Sequence, residues 1–153
     1  MTAIYDGLTF KTSLEAQWAA FFDLAGWTWH INPAPVGNWA PDFRVTFPCG
    51  HSECNETHTL LVAVLPCSSI EAFGKHPSLS HCYGIESPYD ALHPSADAGA
   101  AFGSSPSVTA WEFSHGAGGG LYSVDEWLNG ASSLWSEAGR RVLSNVQPSG
   151  TKI

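Results

Sequence analysis

The sequence predicts a single mixed α/β domain, an α+β arrangement with a mixed central sheet flanked by helices. Three observations carry this reading. A capped amphipathic helix stands near the N-terminus, apolar runs bounded by Pro, Gly and Asn supply several strands, and no repeat or linker divides the 153 residues. With 44% hydrophobic and 12% aromatic residues, the chain has enough apolar material for one core of that size.

Thr12 followed by Glu15 forms a capping box, and Leu14, Trp18, Phe21, Phe22 and Ala25 recur at helical spacing until Gly26. This predicts a helix over 13–25. Residues 27–31 read as a first strand, Asn32-Pro33-Ala34-Pro35 with Gly37-Asn38 as a loop, and 42–47 as a second strand. Residues 48–57 are polar, whereas 59–65 form a continuous run rich in Val and Leu, as expected of a central strand covered on both faces. Together they predict a hairpin with a long, cysteine-bearing tip. Residues 69–73 suggest a short helix, and the Pro/Ala/Gly/Ser-rich stretch 83–103 reads as loop with small pieces of structure. A strand is expected over 107–113. The run 116–120 lacks the Lys and Ser or Thr of a phosphate loop, so a tight turn or close backbone approach accounts for it better. Residues 123–127 and 134–143 have helical character, the latter with Leu134, Trp135, Ala138 and Val142 on one side, and 146–153 read as a frayed tail.

Tyr5, Gly7, Phe10, Lys11, Ser13, Leu14, Glu15, Ala16, Trp18, Phe21 and Phe22, followed by Pro41-Asp42-Phe43, form a pattern that resembles the PD-(D/E)XK nuclease superfamily, in particular its small phage-type members. The correspondence covers residues 4–66. A weaker one continues through His115-Gly116-Ala117-Gly118-Gly119-Gly120 and Leu134-Trp135-Ser136-Glu137-Ala138-Gly139. The resemblance implies a restriction-endonuclease-like core. It also implies that Glu15, Asp42 and an acid on the following strand hold one or two divalent cations, while a lysine on that strand helps polarise the attacking water or stabilise the developing charge. Those last two places are Ala63 and Leu65. Two carboxylates alone would leave Mg2+ mostly water-held and weakly bound. An active site would then require migration, with Glu71 and Lys75 reaching back to replace the missing pair. Other accounts of the survivors are structural: Glu15 as the third position of its capping box, Asp42 bonded to loop amides.

Cys49, His51, Cys54 and His58 form C-x-H-x2-C-x3-H, a set of soft and imidazole ligands that a hairpin tip could fold around a tetrahedral structural Zn2+. The other reading is a polar loop containing two reduced thiols. Cys67 and Cys82 are expected as small core residues, and no disulfide is expected in a cytoplasmic setting. His93 and His115 have no adjacent nucleophile or acid and read as ordinary histidines. Of the seven tryptophans, Trp39, just before Pro41-Asp42, is the one expected at a pocket rim or interface.

Six basic residues stand against fourteen acidic ones, a net charge of -8, and Lys11, Arg44, Lys75, Arg140, Arg141 and Lys152 are scattered. A chain so charged repels phosphates at long range and suits a basic protein partner better than nucleic acid. No apolar run of membrane-spanning length and no leader-like N-terminus is seen, so the expected compartment is the cytoplasm, that of the host cell if phage-encoded. The expectation is a catalytically inactive nuclease-fold protein that binds and inhibits a host nucleic-acid-handling system, of an anti-CRISPR or other anti-defence type. The alternatives are a divalent-metal nuclease with migrated residues and a structural component of a phage or transposition complex.

Overall fold

The chain opens with two three-residue strands, β1 (Ala3–Tyr5) and β2 (Leu8–Phe10), paired antiparallel around Asp6-Gly7. Both turn residues have left-handed φ, 56° and 78°, which a two-residue hairpin loop requires and Asp-Gly tolerates. The computed structural model describes residues 2–35, 39–48, 57–80, 96, 98–115 and 118–146. Helix α1 (Ser13–Ala25) has the predicted bounds. The Thr12 hydroxyl accepts from the Glu15 N–H at 3.1 Å, and Gly26, at φ 79°, closes the helix with its N–H on the Asp23 carbonyl.

Six strands follow in one sheet: β3 (Thr28–Ile31), β4 (Phe43–Pro48), β5 (Thr57–Val64), β6 (Ala98–Phe102), β7 (Thr109–His115) and β8 (Gly118–Tyr122). Their spatial order is their chain order, and every pair is antiparallel except β5 with β6. The sheet is therefore mixed, with β4 and β5 forming the expected hairpin. Two helices follow: the single turn α2 (Val124–Trp127), with a full capping box between Ser123 and Glu126, and the longer α3 (Ala131–Val146).

One face of the sheet packs on the helices. Phe43, Val45, Phe47, Leu60, Val62, Ala100, Phe102 and Trp111 meet Trp18, Phe21 and Phe22 of α1 and Ala138 and Val142 of α3 in a single core. The Trp18 indole N–H, wholly buried, donates to the Gly103 carbonyl at 2.9 Å and ties α1 to the end of β6. The opposite face carries Leu61, Ala63, Ala101 and Ala110, covered by the segment that bears the 3-10 turns Ile70–Phe73 and Pro77–Ser80. β5 is thus covered on both faces, as its continuous apolar run predicts.

Four expectations need correction. Residues 98–102, expected within a loop, are the buried strand β6, because Ala-Gly-Ala-Ala offers small side chains where the covering segment comes closest. A Cβ on Gly99 would stand 2.2 Å from the Ser78 carbonyl oxygen. Gly118 to Gly120, within the 116–120 run expected as a tight turn or close backbone approach, lie in β8 and pair with β7, since strand pairing needs only their backbone, while 116–117 lie outside the described residues. The helix expected over 69–73 is a single 3-10 turn with Gly74 at its end. Helix α3 extends beyond 134–143 at both ends. Residues 147–153 of the expected tail lie outside the described residues. Among the described residues no helix is long and apolar enough to cross a membrane.

Candidate functional site

Three elements converge where β4 begins, β5 ends and α1 starts. The register pairs Phe43 with Val62, so Asp42 stands across from Ala63. Its backbone N–H donates to the Val62 carbonyl at 2.8 Å and its Oδ2 accepts from the Val64 N–H at 2.8 Å. Asp42 therefore brackets Ala63 and is fixed by main chain on both sides. Its other oxygen, Oδ1, accepts from Lys11 Nζ at 2.7 Å.

Lys11 is placed by the residue that begins the helix cap. Four residues before Glu15, it lies over the first turn of α1, and its Nζ is 3.5 Å from Glu15 Oε2. One ammonium thus serves two carboxylates. It remains 68% exposed, whereas Glu15 and Asp42 are 10% and 13% exposed. Burial raises the Glu15 carboxyl above its usual range and the Asp42 charge adds to this, with Lys11 pulling the other way. The Lys11 ammonium is itself raised, chiefly by its hydrogen bond to Asp42. Glu15 keeps half of the expected capping box, its N–H on Thr12, while its carboxylate meets Lys11.

His76 approaches from the other face of the sheet. Its Nδ1 accepts from the Ser78 N–H at 3.1 Å and lies 2.9 Å from the Ser78 hydroxyl. Because an amide N–H can only donate, the neutral ring carries its proton on Nε2. Burial lowers the imidazole's pKa, and the nearby Asp42 carboxylate opposes that shift. Trp39, expected at a rim, is instead 8% exposed, packed on Leu61 and Ala63 and edge-on to His76 with ring centroids 6.3 Å apart. The correction follows from β5. With Ala63 where a carboxylate was expected, the surface there is apolar and an indole covers it.

The sequence-predicted residues divide accordingly. Glu15 and Asp42 come together, and Ala63 and Leu65 face the apolar side with Trp39. Glu71 and Lys75 are exposed on and just after the first 3-10 turn, and the ion pairs of Glu15 and Asp42 run to Lys11. Lys11 and His76 were missed as site residues. For Lys11 the signal was its spacing from Glu15; for His76 the sequence held none. Among the described residues no three His, Cys, Asp or Glu side chains converge as a metal cage. Cys49, His51 and Cys54 of the candidate zinc set lie outside the described residues. His58, the fourth, is on β5 and buried against the rings of Phe47 and Trp127. Cys67 is free and half-buried beside Phe73 and Val108, while Cys82 lies outside the described residues.

A second feature lies at the sheet edge. Asp23, in the last turn of α1, accepts from the Tyr5 hydroxyl at 2.5 Å and from the Trp29 indole at 2.8 Å, joining the hairpin to β3. Burial and this carboxylate hold the Tyr5 phenol well above its usual range. No family model, curated protein or solved structure matches the chain.

Proposed function

We propose that this chain is a PD-(D/E)XK-like protein whose catalytic positions have been vacated, and that it acts by binding a basic protein surface, blocking a host nucleic-acid-handling system in the manner of an anti-CRISPR or other anti-defence inhibitor. One observation carries the reading. Asp42 faces Ala63 across β4 and β5, and the carboxylates of Asp42 and Glu15 are spent on Lys11. A divalent cation would have to displace an ammonium held at 2.7 Å and would gain no ligand from β5. The net charge of -8 supports the choice of partner, because an acidic surface competes for a groove built to hold phosphates.

The test has two arms. Purified protein is expected to leave plasmid and single-stranded DNA and RNA intact with Mg2+ or Mn2+, and to capture a basic host protein in a complex that weakens as salt rises. Cleavage abolished by Asp42→Ala would refute the reading. So would a shift of labelled DNA at physiological salt with no protein partner recovered. The second result favours a nuclease-like nucleic-acid binder, the first a divalent-metal nuclease. The observation on that side is the approach of Lys11 and His76 to Asp42, in place of the Glu71 and Lys75 expected to have migrated. A structural Zn2+ held by Cys49, His51, Cys54 and His58 would be compatible with both readings, since four protein ligands leave no open position for chemistry.

A further inference from the structure

Strand β3 is the edge of the sheet, and a cavity of about 610 Å3 runs along it. Its floor is β3 itself. Asp6 and Leu8 of the N-terminal hairpin and Asp23 of α1 also line it. The backbone is arranged to accept another strand. Asn32 N–H donates to the Asp42 carbonyl at 3.1 Å, so alternation turns the polar groups of His30 and Thr28 toward β4 as well. The N–H and C=O of Trp29 and Ile31 then point outward, along the cavity, and no strand among the described residues pairs with them.

The charge of the cavity is one-sided. Asp6 is exposed on a turn fixed by left-handed φ at both of its residues, and Asp23 is oriented by Tyr5 and Trp29, one hydrogen bond on each oxygen, with a lone pair left on each. Among the described residues no Lys or Arg lines the space. Leu8, 39% exposed, adds an apolar patch on the hairpin wall.

We infer that β3 takes up an extended, basic segment of the partner as a seventh strand, with an Arg or Lys side chain seated in the cavity beside Asp6 and Asp23. This rests on the reading of the chain as a binder of a basic protein and says where and how it binds. Backbone pairing at Trp29 and Ile31 supplies affinity, and the two carboxylates select the charge of the side chain. A second copy of this chain is a poorer occupant, because two β3 edges brought together would confront Asp6 and Asp23 with their own equivalents.

The probe is a fluorescein-labelled extended peptide of alternating Arg and Val, followed by anisotropy. Two controls accompany it: the same peptide N-methylated on alternate residues, and one with Glu in place of Arg. The Arg peptide is expected to bind and to shift the amide resonances of Trp29 and Ile31. N-methylation should weaken it by about tenfold or more, the loss of one or two net hydrogen bonds. The Glu peptide should not bind. Asp6→Asn keeps a residue that tolerates the left-handed turn and should weaken the Arg peptide by about two- to fivefold, as expected of an exposed charge. Equal binding of the N-methylated peptide, shifts confined to another surface, or self-association that moves the same two amides would each overturn the inference. If the Arg peptide fails to bind while salt-sensitive capture of a basic protein survives, β3 is not the site and the broader reading stands. If both fail, both readings fall.

Discussion

Replacing Lys11 with Met isolates the charge that holds the Asp42 site together while keeping most of the side-chain stem. Lys11 bonds Asp42 Oδ1 at 2.7 Å and lies 3.5 Å from Glu15, and the two carboxylates it serves are nearly buried. An exposed ion pair is worth about 0.2–1 kcal/mol, and a hydrogen bond to a charged group about 1.5–3 kcal/mol. With the ammonium itself 68% exposed, solvent screening places the cost near the bottom of the second range, about 1.5 kcal/mol at neutral pH. In a domain of this size that lowers Tm by about 3–6 °C. The pH dependence has a definite sign. Glu15 already has a raised folded-state pKa, so its protonated form favours the fold at pH below its unfolded value, and that contribution is lost as pH rises through the folded value. Without Lys11 the folded value rises further, so the part of the penalty carried by Glu15 should fade as pH drops below the usual carboxyl range, where Glu15 is protonated in both states, and be full at neutral pH. Lys11, whose own pKa is raised, contributes below its usual 10.5 and ceases to do so as pH climbs past its folded value, so parent and variant should converge again in strong alkali. Urea denaturation across this range, with an NMR titration of the Glu15 carboxyl, measures both quantities. A penalty independent of pH, or a Glu15 titration unmoved by the substitution, would refute the coupling.

Gly99→Ala should destabilise by about 2–3 kcal/mol in urea, because its Cβ would stand 2.2 Å from the Ser78 carbonyl, which is backbone and cannot rotate away; a loss under about 0.5 kcal/mol would mean that the covering segment is not seated there. Ala63→Glu buries a carboxylate beside Asp42 at a position 2% exposed and should cost about 3 kcal/mol at neutral pH, part of which added Mn2+ restores in the variant but not in the parent. Absence of any Mn2+-dependent rise in Tm would argue that Ala63 does not occupy a vacated ligand position. If Cys49, His51, Cys54 and His58 hold zinc, elemental analysis should return about one Zn per chain and a chelator should lower Tm; a metal-free preparation of unchanged stability disposes of that site.

Helix α1 could be read to its ends because both caps are encoded by single residues, Thr12 and Gly26, and Leu14, Trp18, Phe21, Phe22 and Ala25 recur at helical spacing between them. β5 was equally plain, since seven apolar or small residues in a row leave no solvated face. β6 could not be read that way. Ala98-Gly99-Ala100-Ala101 has neither β-branched residues nor alternation, and the smallness of Gly99 answers to the backbone of Ser78, a partner distant in sequence. The same holds for β8, where Gly118-Gly119-Gly120 joins the sheet through main-chain groups that sequence composition does not display. Asp6-Gly7 did signal a hairpin, but strands of three residues carry too little pattern to pair with it.

The site was legible in proportion to how local its contacts are. Glu15 and Asp42 were visible through the motif, and Lys11 was within reach, being one helical turn from Glu15. What no spacing could reveal is that Lys11 also crosses to Asp42, 31 residues away, or that His76 arrives from the opposite face. Those contacts have a consequence for the chemistry. Two carboxylates and one ammonium leave a single net negative charge beside a His76 whose neutral form burial favours. A divalent cation displacing Lys11 would cancel that charge but would find main chain and Ala63 where β5 should supply a ligand. On the proposed reading, then, Lys11 does two things at once. It offsets one of the two carboxylate charges left behind in the fold, and it withholds both groups from metal. A variant that frees them, Lys11→Met, should therefore bind Mn2+ more tightly than the parent even as it loses stability without the ion. The opposite order of affinities would mean that Lys11 does not withhold the carboxylates from metal, and this account of Lys11 would have to be given up.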